Sequence, residues 1–193
     1  MRKKVILIGD SIRMGYQEVV RQQLSEIAEV CAPEENGGNS QNVLKYLDIW
    51  ALSKNVSVIH INCGLHDLGR DFVSGKPVIP IDQYKSNVRE IMRQLLEKTQ
   101  ASVIWALTTA VNEKWHHEKK SFDRFETDVC TYNKAATDIA TELGVPIDDL
   151  YSLSIKAGPD KYLRPDGVHY TSEGCFLLGK AVAESIKPYL NNA

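Results

Sequence analysis

Cysteine is scarce and scattered. Cys31, Cys63, Cys130 and Cys175 include no CxxC pair, so they read as free, partly buried thiols rather than a disulfide or redox framework. No apolar run approaches bilayer-spanning length. The amino terminus, MRKKVILIGDS, begins like a secretory signal, but Asp10 ends the Val5–Ile8 run before an h-region forms. These absences predict a cytoplasmic protein with no membrane partner. Charge of one sign is also missing. The net charge is −2, acidic and basic residues alternate, and no basic face argues for nucleic acid. No repeat, coiled coil or interface stripe is visible, so the oligomeric state is not specified. No composition shift marks a linker, and 193 residues suit one substantial core. A single domain over 1–193 is expected.

What the chain does carry is the composition of an ordinary globular protein, 43% hydrophobic and 25% charged, arranged as strands alternating with helices. KKVILIGDS is a continuously apolar, β-branched run that stops at Gly9, which suits a central parallel strand. A helix is expected from about Met14 to Val30, where Val19, Val20, Leu24 and Ile27 recur at helical spacing. The glycine-rich loop EENGGNSQN then caps a helix carrying Val43, Leu44, Leu47, Trp50 and Ala51. VSVIHI is a second strand, ending near Cys63–Gly64. Tyr84, Val88, Ile91, Met92, Leu95 and Leu96 form a helical stripe, and ASVIWALTT a third strand. A polar connection through Trp115, His116 and His117 leads to a long helix with Phe122, Phe125, Val129 and Tyr132 on its apolar face, closed by Gly144. VPIDDLYS supplies a short fourth strand. The final helix starts near Thr171–Ser172 and carries Phe176, Leu177, Ala181, Val182 and Ile186. This alternation predicts an α/β protein, a three-layer α/β/α sandwich with a small, mostly parallel sheet. Ligands of such sheets bind beyond the strands' carboxyl ends, which gathers Gly9–Ser11, Cys63–Asp67 and the turn after Thr108.

Ser11 in LIGDSIRMG lies just past a strand and before a helix, where a hydroxyl is exposed beside unpaired amides; a plain helix cap fits the same position. The stretch has neither Walker spacing nor the GxSxG elbow. In RPDGVHYTSEG, Asp166 and His169 are three apart, and the Asp–Gly turn can fold the carboxylate back onto the imidazole. A cap with a solvated histidine is the alternative. Acyl transfer also needs donors for the developing oxyanion, and NGGNS offers a main-chain N–H from Gly38 or Gly37 beside that of Ser11. INCGLHDLGR places His66 and Asp67 in the second loop. Asp67 and Asp10 read as supporting carboxylates that hold their loops by accepting backbone bonds. Arg13 and Arg70 fit either an acidic substrate or solvent.

Four blocks, GDS at 9–11, NGGNS at 36–40, GLHD at 64–67 and DGVH at 166–169, resemble the GDSL/SGNH hydrolases and span nearly the whole chain in that family's order. The resemblance implies a flavodoxin-like sheet between helices, with no metal and no organic cofactor. Ser11 would be the nucleophile, His169 the general base and Asp166 the carboxylate that orients it. Ser11 and Gly38 would supply oxyanion-hole amides, and His66 would stand where the family pattern has asparagine, in G-x-N-D. The need there is a side-chain N–H, which an imidazole also provides, with a pH dependence that an amide lacks.

Among rival chemistries, metal-assisted hydrolysis lacks a ligand motif: His60 is packed or paired in its strand, and His116–His117 do not have HExxH spacing. A noncatalytic carbohydrate-binding protein is the other class, with Trp115 as its platform or simply as an anchor. The loops at 69–83 and 111–121 lack a long apolar flap. The expected substrate is therefore a small acylated molecule, an O-acetylated saccharide ahead of a lipid, with a broad short-chain carboxylesterase or thioesterase as the alternative.

Overall fold

The computed structural model describes residues 2–191. Along the chain run β1 (Lys3–Ile8), α1 (Ser11–Leu24), β2 (Ala28–Cys31), α2 (Ser40–Leu47), β3 (Val58–Ile61), β4 (Arg70–Asp71), α3 (Ile81–Lys98) and β5 (Ser102–Ala106). After them come α4 (Glu113–Lys119), β6 (Phe122–Asp123), α5 (Glu126–Leu143), β7 (Ile147–Asp148), α6 (Leu150–Ala157), α7 (Pro159–Tyr162) and α8 (Ser172–Asn191). A π-helical turn, Asp48–Leu52, continues α2.

Five strands form a parallel sheet in the order β2-β1-β3-β5-β7, with helices on both sides. Val5, Ile6, Leu7 and Ile8 are all buried, as an unbroken apolar strand requires when both faces are covered. The strand order reverses at β1: the chain steps one way to β2, then jumps back to β3 and continues outward. Right-handed crossovers therefore place α1 on one face and α2, α3 and α5 on the other. Accordingly, α3 packs against α2 and α5, while α8 returns along α1. In that seam Gly179 lies so close to α1 that a Cβ there would sit 2.6 Å from the Cβ of Val19. The reversal opens a crevice beyond the carboxyl ends of β1 and β3, where residues 9–11 and 62–67 emerge.

The three-layer expectation holds, with local differences. The first helix ends at Leu24, and Ala28–Cys31 forms edge strand β2, in register with Lys3–Ile6. Val20, Leu24, Ile27 and Val30 imitate a continuing helical face, and neither glycine nor proline lies between Gly15 and Pro33 to mark the break. The 113–119 segment is helix rather than plain connection, because Asn112 caps it by accepting the Trp115 amide at 3.0 Å. Phe122 lies in β6, paired antiparallel with β4, and not on the long helix. Phe176 is half exposed rather than part of the buried face of α8. Gly144 closes α5 in the left-handed conformation, at φ 70°.

Candidate active site

Ser11 opens α1. Its neighbour Asp10 caps the helix, accepting the Ile12 amide at 2.9 Å. That cap turns the chain out of β1, leaving the Ser11 hydroxyl partly exposed and its amide without a partner among the described residues. The Ser11 Oγ lies 2.9 Å from His169 Nε2, and His169 Nδ1 lies 2.5 Å from Asp166 Oδ2. The other Asp166 oxygen accepts the amides of Val168 at 3.1 Å and His169 at 3.0 Å. Burial works against the charge on Asp166, but the His169 imidazole and these amides outweigh it and hold the carboxyl well below its ordinary range. A carboxylate on Nδ1 fixes the proton there and leaves Nε2 to accept from the Ser11 hydroxyl.

On the opposite side lie the loops of NGGNS and GLHD. The Gly37 amide donates to the Gly9 carbonyl at 3.0 Å. The Gly38 amide instead donates to the exposed side-chain oxygen of Asn36 at 2.9 Å. The two glycines thus differ: one amide is tied to buried backbone, the other to a side chain that a ligand can displace. Gly64 turns the second loop at φ 147°, and a Cβ there would lie 2.6 Å from Thr108 Oγ1. The His66 ring is partly buried and forms no hydrogen bond with another described residue. Burial lowers its pKa; Asp10 opposes this, while Arg124 and His169 add to it.

Asp67 faces inward and is fully buried. It accepts the Ser40 amide at 2.9 and 3.0 Å and the Ser40 hydroxyl as well, while Asn87 donates to that hydroxyl at 2.9 Å. Burial pushes the Asp67 carboxyl up to about 7, against the pull of Ser40. This clamp binds the 36–40 loop to the 64–67 loop. Nothing in the sequence marks Ser40, the last residue of NGGNS, or Asn87, a polar helical position, as partners in this clamp.

Several other polar residues have structural positions. Arg13 is buried and donates to the carbonyls of Gly9, Pro33 and Glu35, so it faces neither solvent nor a free cleft. Arg70 grips Asp128 through two hydrogen bonds, of 2.6 and 2.8 Å. His60 is buried with Nε2 2.9 Å from Asp148 Oδ2. His116 is buried on α4 rather than placed in an open loop. Trp115 packs partly against the core. No group of three His, Cys, Asp or Glu side chains among the described residues is arranged to hold a metal ion. No helix among them is long and apolar enough to cross a membrane.

Beside Ser11 and His169 is a recess of about 80 Å³ whose walls include Gly15, Arg164, Tyr170 and Cys175. A larger cleft of about 340 Å³, lined by Cys31, Ile49, Trp50 and Lys54, lies away from these groups. The recess at the site that the sequence blocks point to is therefore small, with polar and apolar groups both on its walls.

Fold and site together define a class: a parallel α/β sandwich with a hydrogen-bonded Ser–His–Asp chain at the sheet's switch point. No protein-family model matches the chain. It is 24% identical, over 203 aligned positions, to the GDSL esterase/lipase CPRD49 of Arabidopsis thaliana, covering 96% of this chain and 79% of that protein. Its fold matches the lipase/acylhydrolase from Enterococcus faecalis with a TM-score of 0.81 at 23% identity, over 97% of this chain and 96% of the other. The acetylxylan esterase Axe2 from Geobacillus stearothermophilus matches with a TM-score of 0.74 at 17% identity, over 95% and 94% of the two chains. The resemblance to the GDSL/SGNH hydrolases is borne out, and the chain has their fold.

Proposed function

We propose that this protein is a serine ester hydrolase that removes O-acetyl or another small acyl group from a carbohydrate. The observation that carries the reading is the unbroken chain from Ser11 Oγ through His169 to Asp166, at 2.9 and 2.5 Å. In the forward step the Ser11 oxygen attacks the ester carbonyl and His169 Nε2 takes its proton. The tetrahedral oxyanion is held by the amides of Ser11 and Gly38 and by a ring N–H of His66, with Gly38 released from Asn36 as substrate enters. Collapse expels the sugar alkoxide, which takes the proton from His169 and leaves an acyl-serine. Water, deprotonated by His169, attacks that ester, and a second collapse returns the proton to Ser11 and frees the carboxylic acid.

The small recess beside Ser11 favours a short acyl group, and acetylxylan esterases among the structural neighbours favour an acetylated sugar. A broad short-chain carboxylesterase or thioesterase is the second reading, favoured by the lipase/acylhydrolase neighbour and the esterase/lipase relative. The test is acyl release from acetylated saccharides beside short- and long-chain ester and thioester probes, with Ser11→Ala as control. Preference for acetyl-saccharides supports deacetylation. Equal rates on aryl esters support the second reading, and activity retained in Ser11→Ala defeats both.

A further inference from the structure

One cation stands behind the His66 loop and has no part in the chemistry above. Arg124 follows β6 and is 5% exposed. Its Nε donates to the Leu65 carbonyl at 2.7 Å, the carbonyl of the peptide bond that leads into His66. Its Nη1 lies 3.0 Å from His116 Nε2, and the guanidinium stacks over Phe122, 4.8 Å from the ring centroid. A guanidinium can only donate. His116 must therefore accept through Nε2, carry its proton on Nδ1 and remain neutral. Burial, Arg124 and Lys120 together lower its pKa to about 4, in keeping with that tautomer.

His116 belongs to α4, and α4 also braces the other side of the site. The Asn112 amide donates to the Gly167 carbonyl at 2.8 Å. A Cβ on Gly167 would lie 2.4 Å from the Asn112 carbonyl oxygen and 2.7 Å from the His116 amide nitrogen, so the Asp166–Gly167 turn rests directly on the α4 backbone. At the far end of the helix, Lys120 Nζ is 3.5 Å from Asp166 Oδ2. A continuous contact path thus joins the two halves of the site: Asp166–Gly167, α4, His116, Arg124, Leu65 and His66.

We propose that Arg124 is a positioning residue for His66, its guanidinium gripping the Leu65 carbonyl and the His116 ring and so setting the His66 loop against the turn that carries Asp166 and His169. This rests on the serine-hydrolase reading only in giving His66 its task; the brace itself is independent of substrate. A second consequence follows from the charge. The groups facing His66 are Asp10 at the start of α1, His169 before α8 and Arg124. Asp10 favours a protonated ring, whereas Arg124, with burial and His169, opposes it. Burial is the main cause of the lowered His66 pKa, and Arg124 adds to it, favouring the neutral ring.

The test follows the His66 ring by NMR across a pH series, alongside kcat and KM, in Arg124→Gln, Arg124→Lys and His116→Phe. In Arg124→Gln the His66 titration midpoint should move up and kcat should fall on the order of 10²-fold, as for an ångström-scale misplacement, with KM little changed. Arg124→Lys should restore the midpoint but not the full kcat, because one ammonium cannot span both acceptors. If Arg124→Gln does not fold, His116→Phe removes the outer anchor alone and should lower kcat without moving KM, whereas His116→Gln, which keeps an acceptor, should recover it. An unmoved midpoint and unchanged kcat in folded Arg124→Gln, or an unchanged kcat in His116→Phe, would overturn the proposal. The NMR shift needs no turnover, so a failed Ser11→Ala control would count against the hydrolase and not against the brace.

Discussion

The two sides of the site are built by opposite means. On one side Ser11, His169 and Asp166 touch one another directly, and each reacting group is also the support of the next. On the other, the proposed donors Gly38 and His66 sit in loops held from behind, by the Asp67–Ser40 clamp and the Arg124 grip on Leu65. The difference follows from what each side has to do. A proton relay must be in contact to work, whereas an oxyanion hole must keep its donors aimed at an atom that is absent until substrate arrives. Direct contact and the Asp67–Ser40 clamp fall within short motifs in the sequence; the Arg124 support does not.

Mutations on the two sides should therefore differ in kind as well as size. Ser11→Ala removes the proposed nucleophile and should lower kcat by on the order of 10⁴-fold or more, measured against the background rate without enzyme. Asp166→Asn keeps the shape of the carboxyl but cannot hold the proton on Nδ1, and a loss of roughly 10³–10⁴-fold is expected. His66→Ala should cost about 10²–10³-fold in kcat with KM nearly constant, because the missing donor acts chiefly in the transition state. His66→Asn should recover part of that loss and flatten the acid limb of the rate profile. Unchanged maximal turnover in His66→Ala would dissolve the contrast between the two sides.

The smallest effect concerns stability. Unfolded Asp67 ionises near 3.8 and the folded residue at about 7. Between those values the folded state holds more protons at Asp67 than the unfolded one, so this residue's contribution to stability falls as pH rises through that window. The lowered pKa values of His116 and His66 give slopes of the opposite sign below about pH 6.5, so the measurement is the difference between wild type and Asp67→Asn in chemical denaturation from pH 4 to 7. That difference should change by at most roughly 1.4 kcal/mol per pH unit, in the direction of lost wild-type stability at higher pH. A parallel pH dependence in the variant would show that the clamp is not its source.

Much of the architecture is legible in the chain because its strands are continuous apolar runs and its later helices have clear stripes. β2 is hidden because an edge strand of four residues continues the spacing of the helix before it. The grouping of Ser11, Asp166 and His169 is visible since each sits at a strand end or a short turn. Asp67 could be read as a loop-holding carboxylate, yet its partner Ser40 opens α2, after another strand, and that pairing is set only by the sheet's reversal. Arg13 looked equally suited to substrate or water; three carbonyls in the fold claim it instead. Arg124 is least legible of all, because a carbonyl acceptor can belong to any residue and leaves no mark of its own.

The seam between α1 and α8 adds a consequence. Ser11 is the first residue of one helix and His169 lies just before the other, and the two helices run packed together with Gly179 seated on Val19. On the proposed reading the nucleophile and its base are thus carried on the ends of two adjoining rods, and the gap between them depends on how those rods mesh. A methyl group added at Gly179 would then be felt at the far end as misalignment of Ser11 and His169, from a residue that touches neither.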